Sequence, residues 1–501
     1  MYEQIVERLR DSIQSRQLAD NLRLPTNREL AAMLKVDRST VSRAYFELEQ
    51  QGLIESHVGR GTFVRVRSGA AQEARTTEPV QSMVWPEKFS RASQTAFGIL
   101  GRQPAQGALA TNSISFAGGI PSEEFYPQEE FRRIVSQLAR NDRSAEMFGY
   151  SPAEGDLELR RQVKCFLTEQ RIPADDNELL IVSGSQQAID LVTTTLVDPG
   201  DVVFVEEPTY FWAILKFAAS QARCLPIPVD EHGIKVDVLE SMLSRHQAKL
   251  LYLMPTFQNP TGATLSLDRR HKLLEVSRRY QIAILEDNFV GDLRYDGQPL
   301  PSLKALDWDR DLVIHQGTFS KALCPGLRLG WLVAPAEVSS RLQLAKRASD
   351  LSTNSMAQVV MAEYLRQGLY EKHLEHVKSV YRRRRDTMCQ ALSTHLGSRL
   401  SWTKPEGGLF VWAKLPSGCS SRELLAHAER EGVSFSPGDM FFVHGDRMDF
   451  LRLSFIQHDE QTIETGISRL GRAVDLYLQS RQRLERSSNL VHSRGNESAL
   501  I

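Results

Sequence analysis

The sequence predicts an α/β protein in two parts: a small helical module closed by a hairpin, then a large domain with a mostly parallel sheet flanked by helices. Three observations carry this reading. Residues 1–66 hold three amphipathic helical patterns and two short alternating apolar runs. From residue 112 onward, short strands that are apolar on both faces alternate with helical patterns, the signature of a parallel sheet covered on both sides. The chain has 501 residues, more than one compact core holds.

Between these parts, residues 67–111 are rich in Ala, Gln, Ser, Thr and Gly and read as a linker, with one short helix near Phe89–Leu100. The large domain is expected over 112–476, and the polar stretch 477–501 is expected to fray or be disordered. Net charge is −1, so any case for nucleic acid rests on local features. The five cysteines are odd in number, scattered and never spaced CxxC, which argues against a zinc site or a disulfide framework. No apolar run approaches the roughly 20 residues that span a bilayer. The N-terminus is amphipathic and carries acids, unlike a signal peptide, so a cytoplasmic location is the expectation.

In the first module, Ile5, Leu9 and Ile13 recur at helical spacing. Thr26 with Glu29 forms a capping box for a second helix, whose buried stripe is Leu30, Ala31 and Leu34. Asp37 caps a third helix with Val41, Ala44, Tyr45 and Leu48 inward, ending at Gly52. Its entrance carries Arg38, Ser39, Thr40, Ser42 and Arg43. Two alternating runs then flank Gly59-Arg60-Gly61, a hairpin with a basic tip. Helix, helix, turn, helix, hairpin is a winged helix-turn-helix, whose third helix can enter the DNA major groove by its N-terminus. Ten basic and nine acidic residues over 1–66 leave placement, not total charge, to make the case. The run LPTNRELA…VDRSTVSRAYFELEQQGLIES…GRGTF resembles the DNA-binding domain of the GntR family. That resemblance implies contacts to operator DNA from Arg28, Arg38, Ser39, Thr40, Gly59 and Arg60, with Ser42 and Arg43 in a turn that varies.

In the large domain, strands are expected at Leu179–Ser183, Val202–Glu206, Leu250–Met254, Ile282–Glu286, Leu312–Gly317 and Leu329–Ala334, with helices such as Gln186–Val197 and Ser266–Arg279 between them. Four pieces stand out at strand ends. SGSQQAIDL opens a helix with free backbone N–H groups, an anion site. MPTFQNPTGATLS is a turn by composition. ILEDNFVGDLRY places acids where a ligand crevice opens. GTFSKALCPGLRLGW sets Lys321 among small residues with Arg328 seven positions on.

In this order the pieces resemble the fold-type I pyridoxal-phosphate aminotransferases over about 112–476, and the GntR-like module in front makes the MocR subfamily the natural match. The resemblance implies that Lys321 carries the cofactor as a Schiff base and Asp287 pairs with the pyridine nitrogen. It implies that Asn259 bonds the phenolic oxygen and Tyr210 stacks on the ring. Ser185, Gln186, Thr318, Ser320 and Arg328 would hold the phosphate, Tyr150 would reach it from a second subunit of a homodimer, and Arg452 would clamp a ligand carboxylate. The family pattern has Asp then Tyr after Asp287, where this chain has Asn288 and Phe289; Phe289 cannot share the bond to the phenolic oxygen. Two functions follow: a regulator that senses an amino acid or amine through an external aldimine and answers at double-stranded operator DNA, or a working aminotransferase that carries a DNA-binding domain.

Overall fold

The computed structural model describes residues 2–15, 17–57, 61–65, 83–101, 103, 113–140 and 142–497. The chain divides into two compact units, Met1–Trp85 and Pro86–Ile501.

In the first unit α1 (Tyr2–Gln14), α2 (Asn27–Leu34) and α3 (Arg38–Gln50) stand with a three-stranded sheet of β1 (Arg23–Leu24), β3 (Gly61–Val64) and β2 (Ile54–His57). The local signals are realised. Thr26 Oγ1 accepts from the Glu29 N–H while Glu29 Oε2 accepts from the Thr26 N–H at 2.8 Å. Asp37 caps α3 through the Ser39 N–H at 2.8 Å. Val41, Ala44, Tyr45 and Leu48 close the core with Ile5, Ile13 and Leu24. Leu34 departs from its expected place: it is 45% exposed. Lys35 takes the left-handed conformation (φ 50°) and turns the chain, so Val36 packs against the core instead.

In the second unit, α4 (Arg91–Leu100) lies within the stretch read as linker and begins at a Ser90 cap. It precedes β4 (Ile114–Ser115) and the eight-stranded main sheet. Its strands are β5 (Leu179–Val182), β6 (Val202–Glu207), β7 (Arg223–Asp230), β8 (Gly233–Ile234), β9 (Ala248–Leu253), β10 (Ala283–Asn288), β11 (Val313–Thr318) and β12 (Gly330–Val333). They lie in the order β5-β12-β11-β10-β9-β6-β7-β8. β6, β7, β9, β10 and β11 run parallel, and β12 is antiparallel to β11 and β5. Strand β7 was not among the expected strands; Pro226 and Pro228 break its apolar pattern. Helices α5 (Gln128–Leu138) and α6 (Leu157–Glu169) precede β5, and α7 (Ser185–Leu196) and α8 (Phe211–Ala219) follow β5 and β6.

A smaller antiparallel sheet of Ser401–Trp402, Phe410–Lys414, Phe450–Ser454 and Ser436–Pro437 completes the unit. The last helix runs from Glu460 to Glu497, where a frayed tail is expected from 477. Tyr477 anchors it: its side chain is buried, its hydroxyl donates to Glu423 at 2.9 Å and accepts from the Ser420 N–H at 2.7 Å. Among the described residues no helix is long and apolar enough to cross a membrane, and the five cysteines are free.

Candidate functional site

A cavity of about 790 Å³ opens where the carboxyl ends of the parallel strands meet the small sheet. Ser185, Tyr210, Asn259, Asp287, Lys321 and Arg452 all line it. The first five lie at or after the carboxyl ends of different main-sheet strands and Arg452 comes from the small sheet, which is how the fold concentrates chemistry that the sequence scatters.

Lys321 follows β11. Its Nζ donates to the Gly119 carbonyl at 2.8 Å. Burial first, then the nearby Arg452 and Arg328, push its ammonium down to about 8. A Cβ at position 119 would stand 2.7 Å from the Phe410 ring, so any larger residue there would have to displace that ring. Asp287 lies in β10 and is 2% exposed. Its Oδ2 accepts from the Tyr252 hydroxyl at 2.7 Å, and Oδ1 has no partner among the described residues. Burial pushes the Asp287 carboxyl up to about 6, against the opposing effect of the Tyr252 bond.

At the head of α7, Gly184 is the N-cap, with φ +90° and no side-chain cap. The first N–H groups of the helix are left for a ligand. A Cβ on Gly184 would sit 2.8 Å from Arg328 Nη2, so glycine is what lets the guanidinium close over the helix end. Arg328 donates to the Ser183 carbonyl at 2.9 Å. Thr318 and Ser320 are buried and linked through their hydroxyls at 3.0 Å. Gln186 lies in the first turn of α7, and Ser185 rather than Gln186 lines the cavity.

Arg452 is carried by the small sheet. It donates to Asn259 Oδ1 at 2.9 Å, to the Ala117 carbonyl at 2.7 Å and to Ser436 Oγ at 3.2 Å, while its Nε has no partner among the described residues. The guanidinium lies over the Phe410 ring at 4.0 Å and the Phe441 ring at 4.7 Å. Among the described residues no carboxylate pairs with it. Burial pushes it down to about 9, which leaves it charged at neutral pH. Because Arg452 occupies the Asn259 carbonyl, the amide NH₂ remains to donate elsewhere. Phe289 also lines the cavity. Tyr150 is 85% exposed.

In the first unit, Arg28, Arg38 and Ser39 are exposed and Thr40 is half-buried at the start of α3. Ser39 also donates its hydroxyl to the Asp37 cap at 2.5 Å. Ser42 accepts from Asn27 at 2.9 Å, and Arg43 lies over the Tyr2 ring at 4.2 Å. The Tyr45 hydroxyl donates to the Pro25 carbonyl at 2.8 Å, which fixes the approach to α2. Gly59 and Arg60 fall outside the described residues.

Comparison with known proteins agrees with this geometry. Residues 122–470 match the model of "Aminotransferase class I and II", and residues 1–64 that of "Bacterial regulatory proteins, gntR family". The chain belongs to the class I and II aminotransferase family. With its gntR module in front, it has the make-up of the MocR subfamily. It is 39% identical over 368 residues to aromatic-amino-acid aminotransferase 1 of Thermococcus litoralis, covering 72% of this chain and 88% of that one. The HTH-type transcriptional regulator YisV of Bacillus subtilis is 30% identical across 93% of this chain and 94% of its own. The probable rhizopine catabolism regulatory protein MocR of Rhizobium meliloti is 28% identical across 96% and 94%. Among solved structures, the α-aminoadipate aminotransferase LysN of Thermus thermophilus superposes with a TM-score of 0.74 at 36% identity, covering 79% of this chain and all of that one; it was solved with N-(5'-phosphopyridoxyl)-L-leucine.

The cofactor of this family is pyridoxal phosphate, and the residues present fit it. An uncapped helix N-terminus under Arg328 suits the phosphate dianion. The orphaned Asp287 Oδ1 suits a protonated ring nitrogen. A lysine with a lowered pKa suits the aldehyde. Sequence reasoning missed Tyr252, Gly119, Ser436 and the two phenylalanines around Arg452. Tyr252 is the one polar side chain among the four residues that end β9, Leu250–Leu253, a signal that could have been found; Phe410 and Phe441 look like ordinary core residues.

Proposed function

We propose that this protein is a transcription regulator in which pyridoxal phosphate captures an amino acid or amine, and that capture changes the affinity of the winged helix for operator DNA. The observation that carries the reading is the cavity itself: Lys321 and a buried guanidinium without an acidic partner line one chamber, on a chain whose first unit is a winged helix. A buried, unpaired cation calls for an anion, and a carboxylate matches its planar fork.

Bound pyridoxal phosphate supplies an aldehyde that condenses with amines and a ring that withdraws electrons. In this proposal the chain does the rest. The α7 N-terminus and Arg328 hold the phosphate, with Ser185, Gln186, Thr318 and Ser320 around it. Asp287 holds a proton at the ring nitrogen, Asn259 donates to the phenolic oxygen, and Tyr210 packs on the ring face. Arg452 orients the ligand by its carboxylate. The complete set Lys321, Asp287 and Asn259 also favours a second reading, transamination of the captured ligand.

The test uses the full-length protein loaded with cofactor and DNA fragments it selects from a random pool. Affinity is measured against a panel of amino acids and amines. A shift with one member of the panel supports regulation. No sequence-specific DNA binding, together with steady multi-turnover transamination, would reverse the ranking.

Two predictions follow from this reading. Arg38→Ala, at the exposed start of α3, should cost about 1–3 kcal/mol of specific binding and relax base preference at one position. Competition with single-base variants of the selected DNA checks it, and an unchanged preference would remove Arg38 from the groove. The protein should also be a homodimer, with the exposed Tyr150 completing the neighbour's phosphate site. Sedimentation of the loaded protein decides this: a monomer that retains cofactor tightly refutes it.

A further inference from the structure

The carboxylate at the heart of the site, Asp287, has one of its oxygens held by a buried phenol. Tyr252 lies on β9, next to β10, with Leu285 in register with Tyr252. Its side chain is fully buried and its ring meets Phe217 edge-on at 5.7 Å. The hydroxyl donates to Asp287 Oδ2 at 2.7 Å. The other oxygen, Oδ1, is buried without a partner among the described residues.

We propose that Tyr252 is a positioning residue for the cofactor: its phenol pins Oδ2 of Asp287 so that Oδ1 is presented, ionised, to the pyridine nitrogen. The physics is that of two unlike sides. A carboxylate free to rotate could turn either oxygen, or a proton, toward the ring. With Oδ2 held by a phenol whose ring is wedged against Phe217, the rotation is arrested. A hydrogen bond to the charged form also lowers the carboxylate's basicity. A proton shared between Asp287 and the ring nitrogen then stays on nitrogen, where it makes the ring an electron sink.

The other ionisable groups near Asp287 are Glu206 at the end of β6, Tyr210 before α8, and His315 and Lys321 on and after β11. None of them hydrogen-bonds Asp287. His315 is bonded to Glu286 at 2.9 Å, Lys321 to Gly119, and Glu206 accepts from the Met254 N–H at 2.9 Å. Gln316, in register with Asp287 on β11, also lowers the basicity of this carboxylate, whereas Tyr252 is the group bonded to Oδ2 at 2.7 Å and so the one placed to set which oxygen is presented.

The inference rests on Asp287 being the partner of the ring nitrogen, and it is independent of whether ligand capture alters DNA binding. The experiment loads full-length protein with pyridoxal phosphate labelled with ¹⁵N in the ring and reads the nitrogen resonance at neutral pH, together with the rate of cofactor loss. In the unaltered protein the resonance should lie at the pyridinium position. In Tyr252→Phe it should move toward neutral pyridine, and cofactor should be retained about tenfold less well, as expected for a lost bond to a charged group. A fluorinated tyrosine at position 252, a stronger donor of the same shape, should move the resonance the opposite way and decides the matter if Tyr252→Phe does not fold. Asp287→Asn separates the two levels. If it leaves the resonance unchanged, the assignment of Asp287 is wrong. If it shifts the resonance while folded Tyr252→Phe does not, or the fluorinated residue has no effect, Tyr252 only fills space and the proposal falls.

Discussion

Replacing Lys321 with alanine will abolish covalent retention of pyridoxal phosphate, the largest single effect expected in this protein. Among the described residues no other lysine lines the cavity. Borohydride treatment followed by mass measurement checks this: a modified peptide in Lys321→Ala would show that another amine serves. The same lysine predicts a pH dependence. The Schiff base forms from the neutral amine, and the folded site lowers the ammonium from 10.5 to about 8. At pH 7 about a tenth of the lysine is then neutral, against well under a thousandth for an unperturbed one. Because the shift is downward, loading of the cofactor-free protein should quicken as pH rises toward 8 and level off above it. A rate still climbing steeply at pH 10 would mean that the site does not activate this amine. Basal DNA binding of Lys321→Ala should be retained while any response to an amino ligand is lost, which separates the regulator from the enzyme.

Arg452→Ala should weaken capture of carboxylate-bearing amino ligands by about 2–5 kcal/mol, the usual loss when one partner of a desolvated charge pair is removed. Simple amines should titrate nearly as before. The contrast matters more than the size. Arg452 also occupies the Asn259 carbonyl, so a general loosening of the site would reduce both ligand classes alike, whereas loss of a carboxylate clamp is selective. Spectrophotometric titration of the loaded variant with matched pairs, an amino acid and its decarboxylated amine, reads the difference. Equal responses to both, unchanged from the unaltered protein, would remove Arg452 from ligand recognition.

Much of this was legible in the residues themselves wherever the physics is local. The Thr26–Glu29 box and the Asp37 cap need three residues or fewer between partners, and both formed as expected. The apolar strands leading to Ser185, Asp287 and Lys321 were legible because a parallel sheet buried on both faces writes a continuous apolar run. Local pattern failed where packing overrode it. Leu34 had the right spacing but ends α2 exposed just before the turn at Lys35, strand β7 is interrupted by two prolines, and the polar last helix is held to the body through Tyr477.

Sequence alone therefore determined the order of the two modules, the strand-end motifs and the identity of the lysine, aspartate and arginine that face the cavity. Tertiary structure decided what surrounds them. Arg452 meets Asn259 across 193 positions and Lys321 meets Gly119 across 202. Tyr252 reaches Asp287 only because β9 and β10 pair in one register, and Phe410 and Phe441 close on Arg452 from separate elements. The physical reason is range: caps and periodicity are set by neighbours along the chain, whereas burial and charge depend on partners that only the folded core brings within a few ångströms.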